Sequence, residues 1–303
     1  MIKSTSKSRN ANVIAGVRLT HPDRVLYPEQ GITKSELALY YQHIADWIMP
    51  HIENRPLTLV RCPAGYKKQC FYQRHARDSV DPAIHSIPVE EGKATASYLY
   101  INSLPGLIAL VQMGVLEFHT WGSRKERLEH PDRMIFDFDP DPSVTWKTLC
   151  EAVQNLRSRL SELKLEAFVK TTGGKGLHVV VPIAPKQDWD FVKEFSSSVA
   201  QSMVNAAPDR LTATMSKSKR KGKIFIDYLR NARAASAVCA YSPRARSGAP
   251  VSMPVRWEEL SEDVRSRFTI RNACDRLKRL HKDPWQDYEA ARATLTKAML
   301  NKL

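Results

Sequence analysis

Apolar positions recur along the chain at two periods, and each period predicts a different kind of element. Leu37, Tyr40, Tyr41, Ile44, Trp47 and Ile48 repeat at helical spacing. Thr33 with Glu36 forms a capping-box pattern just ahead of them, so a helix of about four turns is expected there. PLTLVRCP, CFYQRH, ASYLYIN and GVLEFHTW are short β-branched and aromatic runs that read as strands, with SLPGLIALVQM a short helix before the last. RMIFDFD reads as a further strand. TWKTLCEAVQNLRSRLSELKL and WDFVKEFSSSVAQSMVNA are amphipathic and read as helices. EAFVKTT and LHVVVPI flank a glycine-rich turn and should form a hairpin. SKSKRKGKIFIDYLRN is a basic loop entering a strand, and SAVCAYSPRARSGAPVSMP is two strands around an Arg- and Pro-bearing loop. The segment from Trp257 onward is expected to be mostly helical. Short turns join several strand pairs, which predicts an α+β fold with antiparallel or mixed sheets and covering helices, not a doubly wound parallel sheet.

The chain has 303 residues and no internal repeat. Residues 1–17 begin polar and basic, without an apolar signal core, and are expected to be a flexible N-terminal tail. Residues 18–303 are expected to form a single domain. No apolar run approaches the length of a membrane span, so a cytoplasmic location is expected.

Charge narrows the functions. Lys and Arg total 46 against 32 Asp and Glu, a net charge of +14, which favours a polyanionic partner such as nucleic acid. The five cysteines, Cys62, Cys70, Cys150, Cys239 and Cys274, are scattered with no C-x-x-C pair. Such a set fits reduced thiols better than a disulfide framework. Cys62, Cys70 and His75 lie close in sequence but match no common zinc spacing.

The strand RMIFDFD ends in acids. Residues two apart on a strand share a face, so Asp137 and Asp139 lie side by side while Phe136 and Phe138 face the core. Crowded carboxylates repel unless a cation relieves them, and Mg²⁺ or Mn²⁺ suits an all-oxygen site. The competing reading, a strand end entering a turn, suits Asp141 between two prolines and suits Asp137 poorly. Asp227 follows three apolar residues in the same manner, and three strand-borne carboxylates can hold two metal ions for phosphoryl transfer.

Cationic residues surround these acids in the sequence. KTTGGKGLHVVVP offers backbone amides and Lys175 to an anion, although its spacing is not that of a Walker loop, and His178 opens the next strand. Arg244 and Arg246 on alternate positions suit a triphosphate, while Lys217, Lys219, Arg220, Lys221 and Lys223 precede the Asp227 strand. His21, Arg24 and Lys34 form a basic set beside a helix start, and Phe71 and Tyr72 are flanked by Lys67, Lys68 and Arg74, an arrangement that permits base stacking.

Together, HPDRVLYPEQGITKSELALYY, FDFDP, TTGGKGLHVVVP, KGKIFIDYLRN and AYSPRARSGAPVSMPVRWEEL resemble the polymerase domain of bacterial DNA ligase D, of the archaeo-eukaryotic primase superfamily. The resemblance runs from about Arg18 to the C-terminal helices. It implies a primase-like core of two mostly antiparallel or mixed sheets flanked by helices, with the active site in the cleft between them. It further implies a two-metal nucleotidyltransferase that extends primer 3′ ends at gaps and double-strand breaks with NTPs or dNTPs, ribonucleotides preferred, using two Mn²⁺ (or Mg²⁺) ions.

By the resemblance Asp137, Asp139 and Asp227 bind the metals, and His119, Thr172, Lys175, His178, Arg230, Arg244 and Arg246 the incoming nucleotide. His21, Arg24 and Lys34 would take the 5′-phosphate across a gap, and Phe71 would pack on the template. Thr172 stands where many relatives carry serine and keeps the hydroxyl; Arg230 stands where some carry glutamine. A ligase and a Ku-type end-binding protein are the implied partners. No K-x-D-G ligase motif occurs, so an excised domain or stand-alone relative that does not seal nicks is expected. The alternatives are a non-catalytic module binding DNA ends and 5′-phosphates, or a metal-dependent nuclease or phosphatase. Against the phosphatase, Asp141 stands where aspartyl-nucleophile enzymes carry Thr or Val. Against the pure binder, acids in a DNA groove weaken binding unless metal neutralises them.

Overall fold

The computed structural model describes residues 12–76, 81–261, 263–265 and 267–303. Strands β1 (Val13–Ile14) and β2 (Val17–Arg18) form a hairpin turned by Ala15 and Gly16, both at positive φ. Ile14 and Val17 are buried in the core. The expected tail is therefore structured from Asn12 onward, because its few apolar residues have somewhere to go; residues 1–11 lie outside those described. A second hairpin joins β3 (Val25–Tyr27) to β4 (Ile32–Thr33).

The capping box is present. The Glu36 amide donates to Thr33 Oγ1 at 3.2 Å and the Thr33 amide to Glu36 Oε2 at 2.8 Å, starting α1 (Lys34–His43). The expected single helix is two. Ile44 leaves helical geometry (φ −105°, ψ 15°), and α2 (Ala45–Ile52) starts after it. Leu37 and Tyr41 before this break and Ile48 and Ile52 after it are all buried in the core.

Next come β5 (Leu57–Arg61), β6 (Phe71–Gln73), β7 (His85–Glu91), β8 (Ala94–Tyr100), α3 (Leu104–Gln112) and β9 (Val115–Thr120). β7 was not legible because Pro88 interrupts its pattern; it survives in a two-stranded ribbon with β8, where an outer edge needs no amide donor. The register of β5 on β6 sets Arg61 opposite Phe71, so the next pair outward, Cys62 and Cys70, meet and form a disulfide with Cα atoms 4.4 Å apart. This corrects the expectation of reduced thiols there. It also removes the Cys62–Cys70–His75 metal reading, since His75 pairs with Glu91 instead.

β10 (Arg133–Pro140), α4 (Trp146–Glu162), β11 (Phe168–Thr171), β12 (Leu177–Pro182), α5 (Trp189–Ala206), β13 (Leu211–Thr212) and β14 (Ile224–Asp227) follow. β15 (Ala237–Val238), β16 (Pro254–Val255), α6 (Ile270–Arg279) and α7 (Lys297–Leu300) complete the chain. A six-stranded sheet runs β13-β14-β10-β12-β11-β16, antiparallel except at β13/β14, and a four-stranded sheet runs β15-β9-β5-β6. α4 and α5 pack on β10 with apolar stripes that include Leu149, Val153 and Leu156, and Phe195 and Val199. The two-sheet α+β expectation holds. The segment after Trp257 is less helical than expected, because aromatic packing anchors it instead: Trp285 stacks on Tyr288 at 5.3 Å, and both meet His51 and Phe168.

Candidate active site

The site starts from alternation on β10. Phe136 and Phe138 are fully buried, while Asp137 and Asp139 turn to the opposite face and line a pocket of 320 Å³. Antiparallel pairing then fills the row beside Asp137. β14 sets Asp227 directly opposite it, β12 sets His178 on its other side, and β11 sets Lys170 beyond His178. Directly opposed residues share a face, so Lys170, His178, Asp137 and Asp227 form one line across the sheet.

The charges in that line are coupled. Burial alone would raise the pKa of Asp137, but His178 (Nε2–Oδ1 3.3 Å) and Arg230 (Nη2–Oδ2 3.5 Å) outweigh it and hold the carboxyl down to about 2. Burial, then the charge of Lys170, pushes His178 down to about 4. The imidazole is therefore neutral near neutral pH, and Arg230 is the full cation beside Asp137. Burial raises Asp227; Arg230 opposes this at 3.2 Å, and the neighbouring Asp137 adds to it. One guanidinium thus bridges two repelling carboxylates. Asp139 meets Lys175 at 3.4 Å, and Lys175 also donates to the Pro140 carbonyl at 2.6 Å.

Among the described residues, no three His, Cys, Asp or Glu side chains stand in ready metal-holding geometry. The donor chemistry nevertheless fits a hard divalent ion. Asp137, Asp139 and Asp227 offer oxygen only, and burial beside Asp137 raises Asp227, a cost that a bound cation would relieve.

The glycine-rich turn closes on itself. Thr172 Oγ1 donates to the Gly176 carbonyl at 3.1 Å and accepts from the Gly174 amide at 3.2 Å. A Cβ on Gly176 would lie 2.3 Å from the Phe138 carbonyl oxygen, so only glycine lets the turn pass this close to the Asp137–Asp139 strand. Across the pocket, Arg244 donates to the Thr172 carbonyl at 2.6 Å and to Glu117 at 2.9 Å.

Glu117 on β9 was missed in the sequence. Its carboxylate accepts from His119 Nε2 at 2.9 Å and the Ala245 amide at 2.7 Å, as well as from Arg244. Burial opposes its ionisation, yet these three donors bring it down to about 2. The available signal was an isolated acid inside the apolar run VLEFHT, the same anomaly that marked Asp137. Lys170 was also missed; burial pushes its ammonium down to about 7.

His119, Thr172, Lys175, His178, Arg230, Arg244 and Arg246 therefore line one pocket with Asp137 and Asp139, and Asp227 adjoins it through Asp137 and Arg230. The remaining predicted residues stand elsewhere. The Arg24 amide donates to His21 O and the Lys34 amide to Arg24 O, so these three cluster at the start of α1. Lys34 is buried, its ammonium donating to Thr20 O at 2.9 Å and Gln112 O at 3.3 Å, which leaves His21 and Arg24 as the exposed members. Phe71 is half-buried beneath Arg61, whose guanidinium carbon lies 5.2 Å from the ring centre, while neighbouring Tyr72 is 73% exposed.

The LigD primase-polymerase domain family matches residues 33–285. The chain is 42% identical over 302 residues to the multifunctional non-homologous end joining protein LigD of Pseudomonas aeruginosa, covering 99% of this chain and 36% of that protein. It is 35% identical over 263 residues to the protein of the same name from Mycolicibacterium smegmatis, covering 86% and 34%. The chain thus spans about a third of the length of these curated relatives. Among solved structures it is similar to the polymerase domain from Mycobacterium tuberculosis ligase D in complex with DNA, with a TM-score of 0.85, 30% identity, and coverage of 90% of this chain and 98% of that one.

Proposed function

The chain belongs to the LigD primase-polymerase domain family, and from that premise we propose that it extends primer 3′ ends with NTPs or dNTPs at gaps and double-strand breaks in bacterial non-homologous end joining. One observation carries the reading: paired carboxylates and a ring of cations face each other across a single pocket. A pure anion binder has no use for Asp137 and Asp139 there, whereas a nucleotidyltransferase needs both signs.

Asp137, Asp139 and Asp227 would hold the metal, two Mn²⁺ or Mg²⁺ ions. When bound, such ions supply positive charge for the primer 3′-hydroxyl, the α-phosphate and the departing pyrophosphate. The chain's own residues do the rest. Lys175, Arg244 and Arg246 would bind the triphosphate. Glu117 orients both Arg244 and His119, fixing the wall against which the nucleoside would rest. Neutral His178 stands as a hydrogen-bond donor and leaves Asp137 ionised. Arg24 and His21, with Lys34 stiffening the loop beneath them, would take the 5′-phosphate at the far side of a gap. Phe71, with exposed Tyr72, would meet the template. Ribonucleotide preference and cooperation with a ligase and a Ku-type protein at DNA ends complete the reading. Among the described residues no helix is long and apolar enough to cross a membrane, and the proposed location is the cytoplasm, at the nucleoid.

The test is primer extension on a gapped duplex carrying a 5′-phosphate, with NTPs or dNTPs and Mn²⁺ or Mg²⁺. Wild type should extend, and Asp137→Ala/Asp139→Ala should bind the DNA without extending it. DNA binding without extension by wild type would replace the polymerase reading with that of a non-catalytic end-binding module.

A further inference from the structure

We propose that Lys170 is a positioning residue for nucleotide addition, tying together the two walls of the pocket; this deepens, and rests on, the polymerase reading. Lys170 is 2% exposed on β11, in the line that continues through His178 and Asp137. Its Nζ donates to the Val238 carbonyl at 3.0 Å and to Ser252 Oγ at 2.6 Å. Ser252 Oγ passes the bond on to the Thr171 carbonyl at 2.9 Å, next to Thr172 of the turn. Val238 lies on β15 of the other sheet, opposite His119, and both line the pocket. One side chain therefore links the metal-facing sheet to the strand pair that carries the opposite wall.

The chemistry argues against a passive filler. Lysine is rarely fully buried unless paired with an acid. Among the described residues, both hydrogen-bond partners of Lys170 are neutral and no carboxylate stands within ion-pair distance. An apolar side chain of the same length would fill the volume without the cost of desolvating an amine. It would not hold the Val238 carbonyl, and either protonation state of the amine can. The link is thus a distance constraint between the carboxylate row and the wall bearing His119. Reacting groups tolerate little error: about 1 Å of misplacement costs on the order of 100-fold in rate.

The experiment compares wild type, Lys170→Met and Ser252→Ala in single-nucleotide extension on gapped DNA, alongside melting temperature and DNA affinity. Lys170→Met should melt within a few degrees of wild type and bind DNA within about twofold, because losing a buried amine offsets losing its bonds. Its kcat/KM for the nucleotide should fall by roughly 10- to 100-fold. Ser252→Ala, which keeps the Val238 bond, should fall by less, about threefold. A Lys170→Met protein with wild-type kcat/KM overturns the proposal. So does a loss of activity that merely tracks loss of folded protein, with DNA binding falling in parallel. If Lys170→Met does not fold, a Ser252→Ala enzyme with unchanged kcat/KM overturns it as well. A wild type that binds DNA and never extends it sinks the polymerase reading, and this proposal with it.

Discussion

Replacing Glu117 by Gln keeps the shape of a buried side chain and removes only its charge. In the native protein three donors converge on this carboxylate: His119 Nε2 and Arg244 Nε at 2.9 Å, and the Ala245 amide at 2.7 Å. Together they overcome burial and bring the carboxyl from the usual 4.5 to about 2. At roughly 1.4 kcal/mol per pH unit, that fall contributes about 3 kcal/mol of stability near neutral pH. An independent route gives a similar figure: removing one partner of a buried ion pair costs about 3–5 kcal/mol. The sign follows from a depressed carboxylate. Its contribution is complete above the unfolded value of 4.5 and is lost as pH falls toward about 2. The assay is urea unfolding of wild type, Glu117→Gln and Glu117→Ala at a series of pH values. Wild type should exceed Glu117→Gln by about 3 kcal/mol near neutral pH, and the gap should shrink steadily between about pH 5 and about pH 2. Glu117→Ala should lose more, since the Ala245 amide and Arg244 Nε are then left without an acceptor. Equal stabilities near neutral pH, or a gap that stays constant with pH, would refute the account of Glu117 as an ionised anchor.

Gly176→Ala would set a methyl 2.3 Å from the Phe138 carbonyl oxygen and push the turn off β10, so nucleotide kcat/KM should fall at least about 10-fold with DNA affinity unchanged; an unimpaired enzyme would show that the close approach is dispensable. Arg24→Ala should abolish the advantage of a 5′-phosphate in gap filling while leaving extension on a gap without that phosphate intact, and a uniform loss on both substrates would remove Arg24 from phosphate recognition. Thiol labelling of the unfolded, unreduced chain should modify Cys150, Cys239 and Cys274, with Cys62 and Cys70 appearing only after reduction. Reduction should lower stability by about 2.5 kcal/mol, the loop-closure value for a short loop, and labelling of all five cysteines without reductant would exclude the bond.

Much of this was legible along the chain. The helix starts were, because a cap is a local bond: Thr33 and Glu36 meet within one turn. The hairpin of β11 and β12 was legible from the glycines between two apolar runs, and the outward face of Asp137 and Asp139 from alternation. The likeness to a known polymerase domain rested on such segments in order. The break at Ile44 and strand β7 were not legible, since helical spacing continues through Ile44 and Pro88 masks the alternation that the ribbon tolerates. Glu117 carried the right anomaly, an acid in an apolar strand, but its partners Arg244 and Ala245 lie more than a hundred residues away.

What the sequence determined by itself was therefore the elements marked by a cap, a turn or an unbroken period, and the face each presents, because these signals act within a few residues. Which strand lies beside which, and in what register, only the tertiary structure decided. Backbone amides and carbonyls pair without regard to side-chain identity, so β10 carries no local mark that names β14 and β12 as its neighbours. That pairing set Asp227 opposite Asp137, His178 on its other side and Lys170 next in line. It also set Cys62 against Cys70, and it turned separate acids and bases into one pocket.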